Sequence, residues 1–241
     1  MPYNAEMTGF AQANQWLRTL DFFPTLSEED RARCVRSAKP VEAPKGAVIA
    51  SPQETAEHAW VIGEGCVRLV RHMPEGRTLA VDLLGPGEIV GEMAILTGEP
   101  IPEGAEAMEN VVLARLPISL LREFCGRNAD LGFQLARRVG RRRMRIEARL
   151  ADLAYASVPV RVARLLVQLS HRFGDGPPMQ PRIAVRLTHQ DIAELAGCSR
   201  ETATRAIDQL MNRRIIGYED GRIRIRSIRE LYLSAEQPSP V

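Results

Sequence analysis

The sequence predicts an α+β fold in three parts: an antiparallel roll over residues 1–126, a long helix over residues 127–156, and a small domain over residues 157–241 that combines short helices with a β-hairpin. Three observations predict this division. Short apolar runs separated by glycines fill residues 46–116, and apolar residues then recur at helical spacing. Finally, the stretch "LTHQDIAELAGCSRETATRAIDQL" at 187–210 contains two short helical patterns joined at a glycine.

The first part is predicted to be a small antiparallel barrel or roll. In "RTLAVDLL", Leu79, Val81 and Leu83 alternate with smaller or polar residues, which is typical of a strand buried on one face. Pro74-Glu75-Gly76 predicts a turn, so this strand should form a hairpin with the apolar run before it. A short helix should lead into the roll, because Leu26-Ser27-Glu28-Glu29-Asp30 offers an N-cap and first-turn acids.

The second part is predicted to be one helix of about 28 residues and about 40 Å. Its apolar residues fall at intervals of 3, 4 or 7, and no proline interrupts it before Pro159. One small roll cannot cover such a helix, so we expect two chains to bury an apolar seam between them. The seam residues are Leu135, Val139, Ile146, Leu150 and Leu153. The alternative is a helix that folds back on its own domain.

Composition limits the class of protein. The 241 residues are 45% hydrophobic, no apolar run reaches the roughly 18 residues of a membrane helix, and we expect no secretory signal and no membrane partner. Four widely spaced cysteines without a C-x-x-C pair favour a cytoplasmic protein with reduced thiols over a zinc site or a disulfide framework. Four scattered histidines offer no metal cluster, which leaves a metal-dependent enzyme as a weak alternative.

The net charge of +2 conceals an asymmetry along the chain. Residues 1–126 hold 11 Lys and Arg against 18 Asp and Glu, whereas residues 127–150 hold 8 Arg against 2 acids and residues 157–241 hold 13 Arg against 9 acids. A polyanion such as nucleic acid would therefore favour the second half of the chain. For the arginines at 137–145, a solvated basic face is the favoured interpretation.

The third part contains the signals of a helix-turn-helix with a wing. Thr188, with Asp191 three residues later, resembles a capping box at the start of the first helix. Gly197 supplies the positive φ of a tight turn, and Ser199 is placed to cap the second helix. After it, "YEDGRIRIRSI" alternates isoleucine with arginine beyond an Asp-Gly turn, which predicts a β-hairpin.

The second helix of this pair is predicted to read DNA. At 100° per residue, Ala203, Ile207 and Leu210 share an inward side, while Glu201 and Arg205 lie opposite. Arginine can donate two hydrogen bonds to guanine, and glutamate can accept one from cytosine. An acid facing phosphates is repelled, so it is hard to explain unless it reads a base. The alternatives are an ordinary helical hairpin with a surface Arg–Glu pair, and a nonspecific architectural DNA binder, which would not need this glutamate.

The quoted stretch resembles the helix-turn-helix of the cyclic-AMP receptor protein and fumarate–nitrate reduction regulator (CRP/FNR) family, and the likeness extends over residues 15–233 through "GEIVGEMAIL" and the long helix. The resemblance implies a homodimeric transcription regulator with a cyclic-nucleotide-binding-like β-roll, a dimerisation helix and a C-terminal winged helix-turn-helix. Double-stranded DNA and RNA polymerase would be its partners. The implied base-reading residues are Arg200, Glu201, Thr204 and Arg205. The implied phosphate contacts are Thr188, His189, Gln190, Ser199 and Thr202, with His189 standing where an arginine is common.

The resemblance weakens at the effector pocket. Cyclic-AMP-binding members use a Gly-Glu pair, here Gly91-Glu92, and then an Arg-Ser pair for the phosphate. This chain has no arginine between Glu92 and Arg115. A cyclic phosphate in that pocket would therefore meet the acids Glu99, Glu103 and Glu106 and no matching cation. The adenine-reading Thr-Ser pair on the long helix is replaced by Ile146 and Glu147. We therefore expect no cyclic-AMP dependence and no cofactor. Another small ligand, or thiol oxidation at Cys34, Cys66 or Cys125, stays open.

The sequence also predicts a DNA site. Each half-site should resemble TGTGA, paired with TCACA across a pseudo-palindrome. Arg205 should take the guanine of the inner G·C pair, as the family resemblance implies, and Glu201 should accept from a neighbouring cytosine. The fork of Arg200 favours guanine at the outer position. TTGA is the alternative, because a small hydroxyl residue such as Thr204 also occurs in TTGA readers.

Overall fold

The computed structural model describes residues 16–18, 20, 23–51, 57–72 and 78–236. The chain divides into two compact units, Met1–Arg143 and Met144–Val241, and the division falls inside the long helix. The long helix is therefore shared by the two units. Among the described residues no helix is long and apolar enough to cross a membrane, and no group of His, Cys, Asp and Glu could hold a metal ion.

The first unit contains the predicted antiparallel roll, built from two four-stranded sheets. One sheet has the order β1-β8-β3-β6 and the other β2-β7-β4-β5, with antiparallel pairing throughout. The strands are β1 (Lys39–Ala43), β2 (Val48–Ala50), β3 (His58–Glu64), β4 (Val67–His72), β5 (Thr78–Leu84), β6 (Ile89–Val90), β7 (Gly104–Ala107) and β8 (Val111–Pro117). The apolar residues that face inward form two clusters, one between the sheets and one beneath the helices.

The hairpin predicted around residues 67–84 is present, since β4 and β5 pair from Val67↔Leu84 to His72↔Thr78. Its turn, Pro74-Glu75-Gly76, lies outside the described residues. The prediction that Leu79 belongs to the buried face of β5 is wrong, because Leu79 is 44% exposed. Asp82, expected on the other face, is only 7% exposed. The register of β4 shifts between Leu69 and Val70, and the Asp82 carboxylate turns inward, 3.8 Å from the Arg142 guanidinium. The sequence pattern of β5 contained no sign of that partner.

Within the described residues, the α-helices of the first unit include α1 (Glu28–Ser37), α2 (Glu92–Thr97) and α3 (Ile118–Arg127), and α4 (Ala129–Tyr155) begins in this unit. The predicted lead-in helix is confirmed, because the Ser27 hydroxyl accepts from the Asp30 amide at its N-cap. The long helix was predicted over residues 127–156 and is α4. Asn128 separates it from α3, and the Asn128 side chain accepts from the Leu131 amide at the start of α4.

One seam residue predicted on α4 requires correction. Leu135 is 1% exposed and packs with Leu131 and Phe124 in the core of the first unit, so its side chain is covered within its own chain. The other seam residues lie further along the helix. Leu150 is 60% and Leu153 48% exposed, and Val139 and Ile146 are partly buried.

The second unit contains the end of α4 with α5 (Val158–Phe173), α6 (His189–Ala196), α7 (Arg200–Asn212) and α8 (Ile228–Glu236), and a sheet of order β11-β12-β10-β9. The strands are β9 (Gly174–Asp175), β10 (Arg182–Ile183), β11 (Ile216–Glu219) and β12 (Arg222–Ile225). The predicted wing is confirmed as the β11–β12 hairpin. Its central residues, Asp220 and Gly221, have φ of 51° and 73°, the positive values that a two-residue hairpin turn requires.

Candidate nucleic-acid interface

The helix-turn-helix is formed by local hydrogen bonds that the sequence predicted. The Thr188 hydroxyl accepts from the Asp191 amide and the Asp191 carboxylate accepts from the Thr188 amide, which completes the capping box of α6. Gly197 ends α6 with a φ of 65°, and the Ser199 hydroxyl accepts from the Thr202 amide at the start of α7. These caps fix where the two helices begin and end.

The two sides of α7 are as predicted. Ala203, Ile207 and Leu210 are buried in the second unit, while Arg200, Glu201 and Arg205 are exposed. The exposed trio lies in the first two turns of α7, the part of a recognition helix that enters the major groove. Its side chains are thus free to face a partner.

The Glu201 carboxylate is held in its charged form. Its own backbone amide and the Ser199 hydroxyl donate to it, and Arg200 and Arg205 lie nearby, so the pKa of Glu201 falls below the ordinary glutamate range. A charged carboxylate is an acceptor only, which suits the amino group of cytosine.

His189 has a role that the sequence did not predict. One ring nitrogen lies 2.9 Å from Thr204 Oγ1 and the other 3.1 Å from the Tyr218 hydroxyl of the wing, and the His189 ring stacks on Tyr218. Thr204 also donates to the Arg200 carbonyl oxygen at 2.9 Å. His189 therefore links α6, α7 and the wing, and the Thr204 hydroxyl already has its proton engaged.

The remaining phosphate candidates lie at the starts of α6 and α7. The Thr188 hydroxyl contacts Asp191, Gln190 donates to Glu194 at 2.9 Å, and the Ser199 and Thr202 hydroxyls lie 3.0 Å apart. Helix starts present backbone N–H groups and partial positive charge, so both are suited to phosphate oxygens.

The candidate effector residues are divided between the two units. Glu92, at the start of α2, is 2% exposed in the first unit, whereas Ile146 and Glu147 lie on the part of α4 that belongs to the second. Glu92 Oε1 lies 2.5 Å from Arg142 Nη2 on α4, while Glu92 Oε2 is buried without a hydrogen-bond partner. Burial raises the pKa of Glu92, and Arg142 counteracts that rise. The sequence did not reveal Arg142 as the partner of Glu92, because the two lie about fifty residues apart in the chain.

Two of the three acids expected near a bound cyclic phosphate, Glu103 and Glu106, are paired with arginines. Arg71 Nη2 lies 2.9 Å from Glu103 Oε1, and Arg68 Nη2 lies 2.7 Å from Glu106 Oε2. Both arginines come from β4, which neighbours β7 in the sheet. The residues after Glu92 gave no sign of these two arginines, because they come from the adjacent strand.

A roll, a long helix and a winged helix-turn-helix with an exposed Arg-Glu-x-x-x-Arg face define a DNA-binding regulator. Residues 40–128 match the cyclic nucleotide-binding domain family, and residues 160–233 match the Crp-like helix-turn-helix domain family. A CRP-like cAMP-activated global transcriptional regulator of Mycobacterium tuberculosis is 31% identical over 182 residues, 76% of this chain and 81% of that protein.

A global nitrogen regulator of Synechococcus elongatus is 27% identical over 183 residues, 75% of this chain and 82% of that protein. The structure of FixK2 from Bradyrhizobium japonicum superposes with a TM-score of 0.73 at 22% identity, covering 84% of this chain and 99% of that one, which shows the shared fold. The chain belongs to the CRP/FNR family of DNA-binding transcription regulators.

Proposed function

We propose that two copies of the chain form a dimer that reads a pseudo-palindromic TGTGA-like site and does so without cyclic AMP. The single observation that carries the DNA readout is the exposed trio of Arg200, Glu201 and Arg205 at the start of α7, opposite the buried face of that helix.

The roles of the trio follow from their donors and acceptors. Arg205 takes the guanine of the inner G·C pair, and Glu201, which the structure keeps charged, accepts from a cytosine amino group. Arg200 takes the guanine of the outer position and so favours GTGA over TTGA. The Thr204 hydroxyl is bonded to the Arg200 carbonyl and to His189, which supports a secondary role for Thr204 in base reading.

The dimer is proposed to form along the second half of α4. Leu150 and Leu153 are large apolar side chains that remain about half exposed in one chain, and burying them favours association. Val139 and Ile146 fall at the same helical phase, since they precede Leu153 by 14 and 7 residues. A two-fold dimer presents two copies of α7 to half-sites about one DNA turn apart.

The independence from cyclic AMP rests on the surroundings of Glu92. Its carboxylate is buried and already paired with Arg142, whereas a cyclic-nucleotide ligand would need a cation of its own for its phosphate. The Mycobacterium tuberculosis relative is named as cAMP-activated, so this part of the proposal separates the chain from that relative.

A different small ligand in the roll is the second candidate, and it is favoured by the buried Glu92 Oε2, which has no hydrogen-bond partner. Thiol oxidation is disfavoured. Burial raises the pKa of Cys34 to about 12 and also raises the pKa of Cys125, so both thiols stay protonated and unreactive near neutral pH. RNA polymerase is the proposed protein partner, as expected of a transcription regulator.

A binding titration tests the proposal. A labelled duplex that carries TGTGA and TCACA half-sites is titrated with the protein, with and without cyclic AMP, against a scrambled duplex of equal length at the same salt concentration. We expect specific binding that cyclic AMP does not change. Equal affinity for both duplexes would contradict the readout, and a large gain on adding cyclic AMP would contradict the ligand independence.

A further inference from the structure

The turn between α6 and α7 is held by side chains from outside the helix-turn-helix. Three consecutive carbonyl oxygens at this turn accept hydrogen bonds from arginines: Leu195 O from Arg149 Nη2 at 2.7 Å, Ala196 O from Arg161 Nε at 2.9 Å, and Gly197 O from Arg161 Nη2 at 3.0 Å. The last carbonyls of a helix have no backbone donor of their own and carry partial negative charge. Two cations therefore supply what the end of α6 lacks.

Both arginines come from the other helices of the same unit. Arg149 is on α4, and Arg161 is in the first turn of α5, where its Nη1 also donates to the Ala156 carbonyl at the junction of α4 and α5, 3.1 Å away. One guanidinium thus ties the junction to the turn. Leu153 of α4 packs against the same turn. Its Cδ2 atom lies so close to Gly197 that a Cβ at that position would be only 2.5 Å away.

We propose that Arg149, Arg161 and Leu153 form a clamp that positions the recognition helix, so that the end of α4 sets the direction of α7. Ser199, two residues beyond the clamped Gly197, caps α7, and Arg200 and Glu201 follow at once. A small rotation at the turn therefore displaces all the base-reading side chains together. The clamp residues are positioning residues: they act through the turn, and this role rests on the DNA readout proposed above.

Loosening the turn has a different effect on the two kinds of DNA contact. Bidentate bonds to base edges require a fixed direction of α7, whereas contacts with phosphates tolerate displacement and depend mainly on charge. Loss of the clamp should therefore lower affinity for the specific site more than affinity for random DNA. Loss of a residue that merely supplied positive charge would lower the affinities for specific and random DNA equally.

The test compares Arg161→Gln and Arg149→Gln with Arg229→Gln, which removes the same charge from an exposed position on α8. Affinities for the wild-type protein's preferred duplex and for a random duplex are measured at one salt concentration, with dimerisation checked by sedimentation. We expect the clamp variants to bind the preferred duplex with about tenfold lower affinity, the loss expected for one hydrogen bond to a charged group. On the random duplex they should lose no more affinity than Arg229→Gln. Parallel losses on both duplexes would overturn the proposal.

Hydrogen exchange of the DNA-free protein provides a measurement that does not depend on DNA reading. We expect the amides of Cys198 and Thr202, which bond to the Ala193 carbonyl and the Ser199 hydroxyl, to exchange about tenfold faster in Arg161→Gln than in Arg229→Gln. Unchanged exchange would refute the clamp. If Arg161→Gln fails to fold, Arg161→Lys, which keeps the charge but loses the planar fork, takes its place in both measurements. A wild-type protein without sequence preference would refute the proposed function, whereas the exchange result would still decide on the clamp.

Discussion

At the scale of single residues, the proposal that Arg200 reads the outer base of the half-site can be tested directly. Arg200→Val should lower affinity for a GTGA duplex by about 1–3 kcal/mol and leave affinity for TTGA nearly unchanged, because valine cannot donate to guanine. Thr188→Ala is the matched control. The Thr188 hydroxyl lies at the start of α6, so its loss should weaken binding to both duplexes alike. Parallel titrations of the two duplexes make the comparison, and equal losses for Arg200→Val would show that Arg200 contacts only the backbone.

The buried pair of Glu92 and Arg142 predicts a pH-dependent stability. Arg142→Met should destabilise the first unit by about 3–5 kcal/mol, because it leaves a buried carboxylate without its cation. Arg142 lowers the pKa of Glu92 against the raising effect of burial, so its removal raises that pKa further. A carboxyl whose folded pKa is raised costs stability as the pH rises above its unfolded value. The variant should therefore be closest to wild type at low pH.

Urea denaturation of wild type and Arg142→Met at pH 5.5 and pH 8 measures this effect. Glu92→Gln is the companion variant, because an amide has no proton to lose in this range. A loss of stability in Arg142→Met that does not depend on pH would mean that Glu92 is not the group responsible. Urea denaturation involves no cyclic AMP, so its result is independent of the question of the effector.

At the scale of elements, α4 provides a prediction about assembly. Leu150→Glu should convert dimers to monomers, because a carboxylate cannot be buried in an apolar seam without a large cost. Met144→Glu is the control, since Met144 is 70% exposed and lies 120° away around the helix. Sedimentation velocity distinguishes the two. Dimers that persist in Leu150→Glu but dissociate in Met144→Glu would place the seam on the other side of α4.

The sequence predicted those elements whose cause is local. Ser27, Thr188 and Ser199 cap helices where their spacing to the following amides predicted it, and the Asp220-Gly221 turn forms the wing because both residues tolerate positive φ. Spacing within one helix also gave the inward side of α7. Such features depend on a few neighbouring residues, and the sequence contains all of them.

Features that depend on distant partners were missed. Leu135 fits the periodicity of a seam, yet it is buried because α3 and the first turns of α4 share the core of the first unit. Arg142 pairs with Glu92, and His189 bonds to Tyr218, across separations that no sequence pattern encodes. The same limit applies to Arg149 and Arg161 at the α6–α7 turn, for which the sequence predicted no role.

At the scale of the whole molecule, the proposed independence from cyclic AMP is open to direct measurement. Isothermal titration of the purified protein should show no cyclic-AMP binding in the micromolar range, because Arg142, the cation beside Glu92, is already paired with that carboxylate. The titration is repeated on a refolded sample, because unfolding and refolding remove any tightly bound molecule that copurifies. Micromolar binding to either sample would contradict the expectation, and a loss of operator affinity after refolding would point to a different ligand.

An unbiased selection of binding sites from random duplex DNA by the wild-type protein tests most directly whether the trio on α7 reads a specific DNA sequence. We expect recovery of a pseudo-palindrome of TGTGA and TCACA half-sites about one helical turn apart. Recovery of TTGA half-sites would remove only the role assigned to Arg200. Recovery of sequences without a TGA core would contradict the readout by Arg200, Glu201 and Arg205 altogether.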